Sequence, residues 1–179
     1  MTSTETTSTR LDVMPDVIDQ AVPLAPHQAT HAVRHERVKV VASTQGSYEA
    51  MFAPGVQGIS VAERLLVALH ACRLSKADSL VSHYQQRLIS DGTEPVLIDA
   101  VNRNAIGCLP NLRLQTILRF TATLIERPID GDRQAIEALV NAGLSTPAIV
   151  ALGQLIAFLS YQIRVTAGLQ AMAELEAIA

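Results

Sequence analysis

Five histidines, two cysteines and three tyrosines carry most of the chemistry open to this chain. His83 stands four residues after Ser79 and beside Tyr84, so on a helix Ser79 and His83 share a face. Such a pair suits a general base in a cleft between helices. The plainer reading is a histidine hydrogen-bonded within a helix interface. Cys72 precedes Ser79 by seven residues and could be a single reactive thiol acting with His83, or a small buried apolar side chain. Lys76 falls in the first turn of the same helix, where it could hold an anionic group together with the amides of that turn, or simply be solvated. Tyr48 could line the same cleft or pack with its hydroxyl at the surface.

His27, His31 and His35 recur every four residues, a stripe that could take a metal ion. No cysteine or suitably spaced carboxylate accompanies them, Glu36 falling on another face. The expectation is a solvated stripe, no metal and no cofactor. Tyr161 and Arg164 lie three apart near the end of the chain, and Arg164, in apolar company, wants a carboxylate. Cys108 sits in a loop before Pro110. A Cys72–Cys108 disulfide is one reading and two reduced thiols the other.

The elements that must position these residues read as helices. Residues 1–10 are rich in Ser and Thr and read as a disordered tail, with one domain over 11–179. A short helix starts at Pro15, a second covers about 27–38, and a third covers about 45–53 before Pro54-Gly55. Ser60 and Glu63 form a capping box for a helix whose Val61, Leu65, Ala68, Leu69 and Cys72 share a face. After a break at 73–75, Ser75 and Asp78 form another cap-like pair, opening a helix that Asp91-Gly92 ends. Thr93-Glu94-Pro95 starts the next, which Gly107 stops. Leu114, Ile117, Leu118, Thr121, Leu124 and Ile125 trace an amphipathic helix closed by Pro128. Another carries Ala135, Ile136, Leu139 and Val140, with Gly143 placed after its end. Thr146-Pro147 opens a long last helix to about Glu176. Val38 to Val41 is the best strand candidate.

Composition agrees. Hydrophobic residues make up 49% and charged residues 17%, enough for a sizeable core with apolar surface to spare for another subunit. Aromatics are only 3%, which favours close-packed aliphatic helices. With a net charge of −3 and no basic stripe, nucleic acid is not expected. The window from Ala148 to Ile163 is the most apolar. Carrying Gln154, Ser160 and Gln162, it reads as a buried central helix rather than a membrane span. The expected setting is cytoplasmic.

Two stretches, ISVAERLLVALHACRLSKADSLVSHY at 59–84 and the C-terminal run over 112–170, resemble the carboxymuconolactone decarboxylase and alkyl hydroperoxidase D superfamily, in its peroxidase-related subgroup. The resemblance covers about half the chain. It implies an all-α compact bundle of the alkyl hydroperoxidase D-like type, with about seven to nine helices and a homo-oligomeric state. It also implies a paralogous subunit or a thiol reductant as partner. Aligned on His83, the superfamily's two cysteine positions fall on Lys76 and Ser79, and its relay glutamate near Arg64 or Leu65. Only the histidine is kept.

Three functions follow as expectations: an antioxidant oxidoreductase with a degenerate redox centre, a non-catalytic subunit or small-molecule binding module, and a cofactor-free decarboxylase or isomerase with His83 as base. The candidate residues are His83, Cys72 and Ser79 for catalysis, and Lys76, Tyr48 and Tyr84 for substrate.

Overall fold

The computed structural model describes residues 16–178, so the expected tail over 1–10 and the helix start at Pro15 lie outside the described residues. Within them the chain is an all-α bundle of nine helices with no strand. In chain order these are α1 (Val17–Ala21), α2 (Ala29–His35), α3 (Val38–Met51), α4 (Val61–Leu74), α5 (Asp78–Ser90), α6 (Pro95–Asn102), α7 (Leu112–Glu126), α8 (Arg133–Asn141) and α9 (Thr146–Ile178).

The centre is α4. Every residue from Arg64 to Cys72 is buried, so this helix is apolar on all sides and packs on α5, α6, α7 and α9 at once. Leu65, Leu66 and Leu69 are essentially fully buried, each contributing about 2 kcal/mol of hydrophobic stabilisation. The helix begins at the expected capping box: Glu63 N–H donates to Ser60 Oγ, and Ser60 N–H donates to Glu63 Oε2. Glu63 also binds Arg113 at 2.8 Å, whose other nitrogens donate to the carbonyls of Gly143 and Gly58. One guanidinium thus ties α4, α7 and the turn after α8 together.

Arg64 is buried without an ion-paired carboxylate. It donates to the carbonyls of Met51, Ala53 and Ser60, satisfying the end of α3, where the helix dipole favours a cation. Burial, followed by the repulsion of Arg87, lowers its pKa, while Glu63 opposes both.

Several boundaries differ from expectation. Val38 to Val41 is the first turn of α3, not a strand. The branched side chains of Val38 and Val40 point to solvent, and the helix is held by Thr44 and Tyr48 on its buried side. The second helix is only Ala29–His35, and the third starts seven residues earlier than expected. Ser75 closes α4 rather than opening α5, whose N-cap is Ala77 without a side-chain bond. Asn102, not Gly107, is the last residue of α6. Asn104 takes φ +55° beyond it, and Ile106–Cys108 form a short 3-10 turn. Gly143, at φ +84°, does close α8. The long α9 is buried along one face, through Leu152, Leu155, Ile156, Leu159 and Gln162, rather than on most sides. It is long and apolar enough to cross a membrane by length and composition, with a third of that window buried inside the bundle.

Candidate functional site

His83 reaches the surface of α5 as part of a line of side chains at helical spacing, Ser79, His83 and Arg87. Tyr48 of α3 and Phe52, the residue that closes that helix, face this line. The Tyr48 hydroxyl lies 2.6 Å from His83 Nε2 and 2.6 Å from an Arg87 nitrogen. The Arg87 guanidinium also stacks over the Tyr48 and Phe52 rings, 5.2 and 4.8 Å from their centroids. His83 completes the cluster with an edge contact to Tyr84.

Arg87 can only donate, so the Tyr48 oxygen accepts from it, and the Tyr48 hydroxyl shares a second hydrogen bond with His83 Nε2 whose direction depends on the histidine tautomer. Burial raises the Tyr48 pKa, with Arg87 opposing the rise, and the group stays a phenol. Burial first and the Arg87 charge second lower the His83 pKa to about 4. The imidazole is therefore neutral at pH 7, and its Nε2 is engaged by Tyr48.

His83 and Ser79 line an open cleft of about 420 Å³ together with Gln20, Ser82, Gln85, Gln86 and Ile89. No lining side chain is charged. Ser79 Oγ accepts from Gln170 Nε2 of α9 at 3.2 Å.

The remaining candidates separate from this cleft. Tyr48 stands behind His83, largely buried. Tyr84 is wholly buried and donates to Gln162 Oε1 at 2.6 Å, so its hydroxyl serves the core and not a substrate. Burial is the main reason its pKa lies well above the ordinary value. Cys72 is 0% exposed, and burial raises its thiol pKa, so the thiolate that peroxide chemistry needs is suppressed. Cys108 is exposed, and both thiols are free, which removes the disulfide reading. Lys76 is exposed at φ +56° in the turn before α5, not in its first turn. Arg164 donates to Ser160 and forms no ion pair among the described residues.

The stripe of three histidines is a pair. His27 precedes α2 and is exposed, while His31 and His35 stack with centroids 4.2 Å apart. The structure brings them a carboxylate that sequence spacing did not offer: Asp19 of α1, 3.1 Å from His35.

Arg87 and Phe52 were also missed as site residues. Each lies one helical turn beyond a nominated residue, His83 and Tyr48, so the four-residue rule was the available signal. No protein-family model matches the chain, and no curated protein is similar to it.

Proposed function

We propose that the chain is a non-catalytic binding module built on an alkyl hydroperoxidase D-like helical scaffold, its cleft beside His83 receiving a small uncharged polar molecule. The Arg87–Tyr48–His83 chain carries this reading. It engages His83 Nε2 in a hydrogen bond within the protein, which withdraws that nitrogen from use as a general base. The uncharged amide and hydroxyl lining of the cleft supports a neutral ligand. The burial of Cys72 speaks against a thiol peroxidase.

Two measurements test it. Hydroperoxide consumption with a thiol reductant is expected to run at the blank rate, and turnover abolished by Cys72→Ser would overturn the reading. In a thermal-shift screen of neutral amides, polyols and lactones, a ligand is expected to raise Tm in the wild type but not in Ser82→Trp, which fills the cleft. A hit indifferent to Ser82→Trp places binding elsewhere and counts against the cleft.

One observation favours a second reading, a cofactor-free decarboxylase or isomerase: His83 is already in the neutral form a base requires. Turnover of a muconolactone-type acid that disappears in His83→Ala is its signature, and unchanged activity in that variant excludes it.

The module acts as a homo-oligomer in this reading. Val150, Tyr161, Met172 and Leu175 of α9 are exposed and apolar, which supports pairing between copies. Light scattering behind size exclusion is expected to give a multimer, and a monomer at micromolar concentration removes this part of the reading.

A further inference from the structure

Asp19, His31 and His35 converge at the contact between α1 and α2. One potential ligand atom from each lies within 4.8 Å of the other two, and His35 Nε2 is 3.1 Å from Asp19 Oδ2. Adjacent donors around a tetrahedral zinc ion, with bonds of about 2.0–2.1 Å, stand about 3.3 Å apart. Small side-chain rotations bring the set to that spacing. His31 and His35 are one turn apart on α2 with their rings stacked, which holds two imidazoles side by side next to Asp19.

Asp19 Oδ1 forms an ion pair with Arg34 Nε at 3.2 Å without hydrogen-bond geometry, while Oδ2 lies against His35 Nε2. Arg34 is fixed in turn by Asp16, whose oxygens accept from it at 2.7 and 2.8 Å. Asp16 also caps α1 through the amides of Ile18 and Asp19, so the residue bearing the ligand is locked at its backbone. Two carboxylates stand against one guanidinium in this cluster, a balance that suits a cation. The Asp19 and His35 side chains are 13% and 28% exposed, so an ion can enter and water can fill a fourth position.

We propose that Asp19, His31 and His35 form a binding site for a divalent transition-metal ion of the zinc class, with solvent completing its coordination. Nitrogen and oxygen ligands in this ratio suit Zn(II) and Co(II) over Mg(II) or Ca(II). The bound ion adds a link between α1 and α2 to the ion pairs of Arg34 and His35 with Asp16 and Asp19.

The full chain, stripped with chelator, is titrated with Co(II) under visible absorption and with Zn(II) against a chromophoric chelator. One equivalent per chain is expected, with the d–d bands of a site of low coordination number. His31→Ala and His35→Ala are each expected to weaken Zn(II) binding about tenfold or more, and Asp19→Asn comparably. His27→Ala, outside α2, is expected to stay within about twofold of the wild type. Zn(II) raises Tm in the wild type and not in His31→Ala. His31 has only a ring contact to lose, so it separates ligand loss from misfolding should Asp19→Asn loosen α1. Absence of saturable binding overturns the proposal. So does Asp19→Asn binding Zn(II) like the wild type, which would leave a bare histidine pair, or His27→Ala losing as much as His31→Ala.

Discussion

At the scale of single residues, the buried histidines set the pH response. His70 is 1% exposed, its Nδ1 has no partner, and burial lowers its pKa to about 4. His83 is lowered to the same value, in part by Arg87. A folded pKa below the unfolded value of about 6.5 means that the unfolded chain takes up protons first. Stability is therefore full above about pH 6.5, falls as the pH drops towards 4, and levels off below that. His70→Leu is expected to remove its own share of this fall, on the order of 3 kcal/mol at pH 4. At pH 7 it costs little, because it also removes an unpartnered buried nitrogen. Chemical denaturation at pH 7 and pH 4 checks both; an unchanged pH slope would show that His70 is protonated in the fold. How much of the site was legible divides along the same line. Ser79 and His83 could be paired from their spacing, because one helix places them. Asp19 could not be joined to His31 and His35, since that contact depends on how α1 turns back onto α2. The burial of Tyr84 was hidden too: a tyrosine beside a cleft histidine reads as a ligand contact until its helix face is known.

At the scale of elements, the structure depends on a few polar clamps set into an aliphatic core. Arg113 is the clearest. It bonds the carboxylate that caps α4, the Gly58 carbonyl and the Gly143 carbonyl. Arg113→Ala is expected to destabilise the chain by about 1–3 kcal/mol, and Arg113→Lys to recover only part of that, because one ammonium cannot span three acceptors. Urea unfolding of the two variants decides it, and equal stabilities would show the fork geometry to be irrelevant. The capping box, the proline and glycine stops and the amphipathic α7 were all readable, since each is a local rule. The Val38–Val41 segment was not. Its branched residues favour extended backbone locally, but no neighbouring strand exists among the described residues to pair with it. Burial of Thr44 and Tyr48 carries the segment into α3. Ser75 and Asp78 misled for a related reason: a cap-like spacing says nothing about which of two adjoining helices owns the residue.

At the scale of the whole molecule, thiol accessibility separates the redox reading from the scaffold reading. Ellman's reagent is expected to titrate one thiol per native chain, Cys108, and two in denaturant. Rapid native reaction of both would show that Cys72 is reached by local opening and would restore the thiol chemistry. The same scale brings in the far end of the chain. The Glu176 carboxylate near the end of α9 accepts from the amides of Ala29 and Thr30 and from the Thr30 hydroxyl, capping α2 across nearly the full sequence. Those bonds lower its pKa below the usual carboxylate range. The cap is thus a latch between α2 and the last turns of α9, and it closes a long loop. It can engage only once α9 is in place, so α2 is completed by a residue 146 to 147 positions later. A nick or substitution near Glu176 would be felt first at α2.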